Sequence, residues 1–163
     1  MKRVVIVRHA KAVPFGYDDD FHRDLTDRGE SDATKISLRL KELHVFPDLV
    51  IASPATRTLH TAGIYCQNLG IDTSSIRQEE VFYEGLTTQS FVAMLHELPE
   101  KVHTAFLFGH NPTVHSLAYN LASSFNSDMP TCATVAIDFN VDRWSEISAR
   151  KGKVAFEITP KTL

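Results

Sequence analysis

Val4-Val5-Ile6-Val7-Arg8-His9 carries the pattern that sets the fold class of this chain. Four consecutive apolar residues, all β-branched, are too few for a helix and read as a strand buried on both faces. Such a strand belongs to a largely parallel sheet covered by helices. It hands an arginine and a histidine to its carboxyl end, where open α/β sheets hold their ligands. The pattern returns at Ala105-Phe106-Leu107-Phe108, which runs into Gly109-His110-Asn111-Pro112. Between the two lies Leu49-Val50-Ile51-Ala52, followed by Ser53-Pro54-Ala55-Thr56-Arg57. Here Ser53 suits a helix cap, Pro54 the first helical position and Arg57 the opening turn. Three strand ends thus supply Arg8, His9, Arg57 and His110 to one place, a cationic pocket with a nucleophile in it.

Strands are expected near 3–7, 48–52, 77–82 and 104–109, and helices near 28–44, 54–69, 88–97 and 112–124. Strict alternation of this kind calls for crossover connections, hence an α/β fold with a mostly parallel central sheet in a three-layer α/β/α sandwich. Asp27 followed by Glu30 reads as a capping box ahead of Ala33, Ile36, Leu40 and Leu43 at helical spacing. Beyond Asn126 the β-rich segments 133–139 and 153–158, around a polar stretch containing Trp144, read as terminal strands that add an antiparallel edge. Residues 12–24, with Pro14, Gly16 and Asp18-Asp19-Asp20, form the long irregular stretch and follow directly on His9.

A chain of 163 residues is expected to form one domain over 1–163, with a core that needs no disulfide or metal. Its formal charge of -3 and pI near 6.2 lack the basic footprint of a nucleic-acid binder. Cys66 and Cys132 are too few for a disulfide framework or a zinc ligand set and read as buried thiols. No apolar run approaches the roughly 20 residues of a membrane span, and the amino terminus lacks a signal-peptide pattern. A cytoplasmic, monomeric protein is expected, without a membrane partner. His96-Glu97-Leu98-Pro99-Glu100 is not the zinc-protease motif, because Glu100 stands where a second histidine is needed and Pro99 would break the helix. No metal or cofactor is implied.

Four segments in order, Arg8-His9-Ala10, Leu25-Thr26-Asp27-Arg28-Gly29, Ser53-Pro54-Ala55-Thr56-Arg57-Thr58-Leu59-His60-Thr61-Ala62 and Gly109-His110-Asn111, resemble the histidine phosphatase superfamily, also called phosphoglycerate mutase-like. The short length and the tail Pro130-Thr131-Cys132-Ala133-Thr134-Val135-Ala136 look most like the small SixA-type phosphohistidine phosphatases. The resemblance implies a metal-independent phosphatase that forms a phosphohistidine on His9. Arg8 and Arg57 would hold phosphate oxygens through paired N–H groups, and His110 would donate to the phosphoryl group as an imidazolium. Ala10 departs from the family's usual glycine, and Lys11 after it adds positive charge.

A proton-donating acid is expected at Glu84, with Asp18 or Asp20 as the alternative. His60, three residues beyond Arg57 on the same helix face, is a candidate neighbour of the site. Asn111-Pro112-Thr113 opens a helix whose amino end would face the pocket and favour anions. The short loops leave room only for an open site, which favours a phosphorylated protein side chain, phosphohistidine foremost. The alternatives are a small-molecule phosphomonoesterase or mutase of the same superfamily, and a phosphate- or phosphoprotein-binding module without turnover.

Overall fold

A computed structural model describes residues 1–14, 16 and 19–163 of the chain. Six strands, β1 (Lys2–Arg8), β2 (Leu49–Ala52), β3 (Arg77–Gln78), β4 (Thr104–Gly109), β5 (Thr134–Phe139) and β6 (Lys153–Ile158), form one sheet in the order β3-β2-β4-β1-β5-β6. β3, β2, β4 and β1 run parallel, while β5 lies antiparallel to β1 and pairs antiparallel with the edge strand β6. The parallel sheet with an antiparallel edge is as the strand grammar implied.

The strands alternate their side chains between two cores. Val4 and Ile6 of β1, Ile51 of β2, and Ala105 and Leu107 of β4 face one core. That core is closed by α4 (Thr88–His96), α5 (Thr113–Leu121), Phe82 and Trp144. Val5, Val7, Val50, Ala52, Phe106 and Phe108 face the other, under α1 (Asp27–Glu42) and α2 (Thr56–Leu69). Three layers result because every residue from Val4 to Val7 is wholly excluded from solvent. Full burial of each such side chain contributes on the order of 1.5–3 kcal/mol.

Helix boundaries correct the sequence reading in several places. α1 is capped by Thr26, whose hydroxyl accepts from the Gly29 amide at 3.1 Å, instead of by Asp27. The hydroxyl is one residue earlier and sits at the extended position a cap requires, and the Thr26 amide is tied to the Lys11 carbonyl at 2.9 Å. α2 begins at Thr56 with Ala55 in the cap position, so Ser53 is not its cap. α2 ends on Gly70, which takes the left-handed conformation (φ 74°) common just past a helix end. α5 likewise starts one residue after Pro112 and stops at Leu121, short of 124. The expected strand over 77–82 shrinks to Arg77–Gln78, and Val81–Glu84 winds into a short helix, α3. Burial decides this outcome, since the turn carries Phe82 into the core edge-on to Phe91 at 6.0 Å. No helix among the described residues is long and apolar enough to cross a membrane.

Gly29 deserves its place for a steric reason. A Cβ there would overlap the backbone of Lys11, in particular its carbonyl oxygen. The first turn of α1 therefore lies directly against the chain leaving His9. Gly29→Ala should cost about 1–3 kcal/mol of stability, as overpacking against backbone does. A urea unfolding curve that matches wild type would show that this contact relaxes freely.

Candidate active site

The sheet register builds the site. In the parallel β1/β4 pair Arg8 stands beside Gly109, and in β2/β4 Ala52 stands beside Phe108. The His9 amide donates to the Gly109 carbonyl at 3.0 Å, and the Ser53 amide to the Phe108 carbonyl at 3.0 Å. His9 and His110 thus leave neighbouring strands at the same level, with ring centroids 5.3 Å apart. Gly109 is the last ladder residue of β4, and a Cβ on it would meet Val114 of α5 at 2.9 Å. The turn between them can therefore stay tight.

His9 is 8% exposed, and its Nδ1 lies 2.7 Å from the Ala10 carbonyl oxygen. A carbonyl only accepts, so Nδ1 carries the proton and the lone pair resides on Nε2. The Ala10 amide donates to Thr61 Oγ1 at 3.0 Å, and the Thr61 hydroxyl donates to the Arg57 carbonyl at 2.8 Å. From the other side the Cys132 amide donates to the carbonyls of both Arg8 and His9. Cys132 does this from a left-handed backbone (φ 65°), unusual for a residue with a side chain. Its buried thiol lies 3.4 Å from the Tyr65 hydroxyl, and burial pushes its pKa up to about 12, so it stays protonated.

His110 turns Nε2 toward two hydroxyls, Ser53 Oγ at 2.8 Å and Thr58 Oγ1 at 3.1 Å. Its Nδ1 is buried with no partner among the described residues, as are Nε of Arg8 and Nε of Arg57. Three buried nitrogens without partners beside the His9 ring form a setting that an anion with several oxygens would satisfy. Arg8 otherwise donates to the Met129 carbonyl at 3.1 Å, and it lines a cavity of about 440 Å³ with Asn111, Pro112 and His115. Asn111 donates from Nδ2 to the same Met129 carbonyl at 3.0 Å and so ties the start of the α5 segment to that loop.

The histidines are strongly perturbed. Burial, helped by the charges of Arg57, Arg8 and Arg23 and opposed by the bond to Ala10, brings the His9 pKa down to about 4. Burial, then His9 and Arg57, lower His110 to about 3. Both rings are neutral near pH 7. The expected imidazolium at His110 therefore requires the negative charge of a bound dianion, which favours the protonated form.

Three residues complete the site that the strand ends did not reveal. Asp20, at the start of a 3₁₀ turn over Asp20–His22, accepts from Arg57 Nη2 at 3.1 Å and from Arg23 Nη2 at 2.8 Å. It also accepts from the Tyr83 hydroxyl at 2.9 Å, and the Tyr83 ring meets His110 edge-on at 5.7 Å. Burial raises the Asp20 pKa, but the hydrogen bonds from Arg23, Tyr83 and Arg57 outweigh it and hold the carboxyl well below the usual range. Asp20 is a carboxylate, unsuited as it stands to donate a proton. Glu84 is exposed at the end of α3 and its carboxylate makes no hydrogen bond or ion pair with any described residue, while Tyr83 beside it faces the site. Asp18 lies outside the described residues. His60 bonds Asp24 Oδ1 at 2.7 Å and lies 3.7 Å from Glu30 Oε1, with no side-chain bond to Arg8, His9, Arg57 or His110. No three of the described His, Cys, Asp and Glu side chains are grouped so as to hold a metal ion.

Residues 4–118, from the first strand through most of α5, match the family model of the histidine phosphatase superfamily (branch 1). The chain belongs to this superfamily. Among curated proteins it is similar to the mitochondrial serine/threonine-protein phosphatase Pgam5 of Drosophila grimshawi, at 25% identity over 95% of this chain and 57% of that protein. The chain thus spans little more than half of the Pgam5 length. A chloroplastic protein of Arabidopsis thaliana is 26% identical over 93% of this chain and 72% of its own. The fold is that of the protein histidine phosphatase SixA, solved with tungstate, at a TM-score of 0.84, 22% identity and 98% coverage of both chains. A SixA structure from Agrobacterium tumefaciens gives 0.80, 23% identity and 98% of both chains.

The histidine shifts fix a sign for the pH dependence of this superfamily member's stability. An unfolded histidine titrates near 6.5, whereas folded His9 resists protonation to about 4. In that window the unfolded chain binds more protons, so stability is fully present above 6.5 and declines as pH falls toward 4. Urea midpoints measured between about pH 7 and pH 4.5 should fall with acid, and less steeply in His9→Asn. Equal slopes in both proteins would contradict a buried neutral His9.

Proposed function

We propose that the protein is a metal-independent phosphatase that works through a phosphohistidine on His9 and dephosphorylates phosphohistidine on a protein. The observation that carries this reading is the bond from His9 Nδ1–H to the Ala10 carbonyl, which leaves Nε2 unprotonated among buried guanidinium and imidazole donors. Nε2 attacks phosphorus, the P–N or P–O bond to the substrate breaks, and the phosphoryl group rests on His9. Water then attacks phosphorus, releasing phosphate and restoring the Nε2 lone pair. Arg8, Arg57 and His110 take the equatorial oxygens, where charge is spread in the transition state.

Leaving-group chemistry favours phosphohistidine. An alkoxide needs a proton from an acid as it departs, and imidazole needs far less help. Asp20 is held ionised by Arg23, Tyr83 and Arg57, and the exposed Glu84 carboxylate makes no hydrogen bond or ion pair with any described site residue. The likeness to SixA, a protein histidine phosphatase, supports the same substrate class, whereas the name of the Pgam5 relatives points to phosphoserine and phosphothreonine. The partner proposed is thus a phosphorylated protein, met as a monomer in the cytoplasm.

Phosphate release from a phosphohistidine protein and from aryl, sugar and phosphoserine esters tests this, with wild type and His9→Ala compared in chelator. Phosphohistidine should turn over fastest, at a rate indifferent to chelator, and His9→Ala should lose roughly three orders of magnitude or more. Preference for one sugar phosphate would move the substrate to metabolism, and full activity in His9→Ala would remove the nucleophile. Glu84→Gln should slow the alkyl esters more than phosphohistidine if Glu84 donates the proton, and equal rates throughout would exclude it from that role.

A further inference from the structure

Asp20 presents a carboxylate to the cations that the proposed reaction needs. Its Oδ2 takes Arg57 Nη2 at 3.1 Å and the Tyr83 hydroxyl at 2.9 Å. Its Oδ1 takes Arg23 Nη2 at 2.8 Å and Arg23 Nε at 3.1 Å. An ordinary reading makes this an ion pair that positions the two guanidiniums. The geometry argues otherwise, because each arginine is already anchored without the carboxylate. Arg57 Nη1 donates to the backbone carbonyl of Asp20 at 2.6 Å, and the Arg57 side chain is almost wholly buried at the start of α2. Arg23 Nη1 donates to the Val13 carbonyl at 2.8 Å. The turn itself is capped by Asp19, whose carboxylate accepts from the His22 amide at 3.0 Å. Placing these residues does not require the Asp20 carboxylate.

What the carboxylate does is occupy donors. We propose that Asp20 is a resident anion, a tethered competitor that fills part of the phosphate cradle and sets which ligands can enter it. The inference rests on the phosphatase reading of the site. A phosphoryl dianion brings three acceptor oxygens and two charges against the carboxylate's two oxygens and one charge, so it gains when it displaces Asp20 from Arg57. A monoanion of the carboxylate kind gains nothing in the exchange. It also competes against a group held nearby at an effective concentration of about millimolar or above. The device therefore discriminates by charge: phosphomonoesters and phosphoramidates enter, and monoanionic metabolites are excluded. Once displaced, Asp20 must swing away from the dianion, since like charges repel. The swing needs only side-chain rotation, because the backbone carbonyl can keep its bond to Arg57.

The test is the binding of inorganic phosphate and of acetate, by titration calorimetry at about pH 8 where phosphate is a dianion. Wild type, Asp20→Asn, Asp20→Ser and Arg57→Ala are compared, with unfolding midpoints to certify that each is folded. Both Asp20 variants should bind phosphate more tightly, on the order of tenfold. Acetate, silent against wild type, should compete with phosphate in the variants. In turnover the KM should fall by a similar factor. Phosphate binding that is unchanged or weaker in both Asp20 variants would overturn the competitor role in favour of a positioning one. A fall in kcat with KM retained would also overturn it, in favour of a proton donor. Arg57→Ala separates this from the parent reading: if it binds phosphate as wild type does, the cradle assignment itself fails, whereas loss of binding there with no gain in the Asp20 variants refutes the competitor alone.

Discussion

The parallel pairing that sets Arg8 beside Gly109 is the constraint from which the site follows. Parallel strands end at one edge of a sheet, and whatever follows them is delivered to the same crevice. Because β2, β4 and β1 are neighbours in that order, Ser53, His110 and His9 emerge side by side. The buried valines and isoleucine of β1 hold this register firmly. A slip of one residue would exchange Val4 and Ile6 with Val5 and Val7 between two cores built from different side chains. Hydrophobic packing thereby fixes the separation of two polar rings.

Within that frame the chemistry depends on keeping imidazoles neutral among cations. Burial and the nearby arginines both oppose protonation of His9, and the Ala10 carbonyl decides which nitrogen bears the single proton. A nucleophilic lone pair is thus available without an adjacent general base. The same positive field that keeps His9 unprotonated suits an anionic ligand, and in the proposed reaction a phosphoryl dianion would supply the charge that protonates His110. Neutral ring and anionic ligand are in this way linked, one preparing for the other. Asp20 tempers the field at one corner through Arg57 and Arg23.

Much of this was legible in the residues themselves. The apolar runs ending in Arg8-His9 and Gly109-His110 announce buried strands and their carboxyl ends, and the packing agrees with them. Local capping was harder, because Ser53, Thr26 and Asp27 are all good caps in isolation. Tertiary contacts chose among them: His110 draws the Ser53 hydroxyl toward itself, and the Lys11 carbonyl seats Thr26. The segment after Gln78 departs from the strand reading because Phe82 has a buried partner in Phe91 of the next helix, a packing contact that local pattern does not show. The cluster of Asp20, Arg23, Arg57 and Tyr83 joins three separated stretches, so no spacing rule signals it. Asp20-Phe21-His22-Arg23 places an acid and a base one turn apart, the sole local hint, and it does not reveal Tyr83.

The proposed chemistry turns on His9 Nε2 as the phosphoryl acceptor. Rapid acid-free quenching of wild type during turnover of a phosphohistidine protein, followed by intact-mass and fragment analysis, tests it most directly. The expected result is a species heavier by one phosphoryl group, acid-labile and alkali-stable, mapped to His9 and absent from His9→Ala. Turnover with no phosphoenzyme at any quench time, or with the label on another residue, would contradict it.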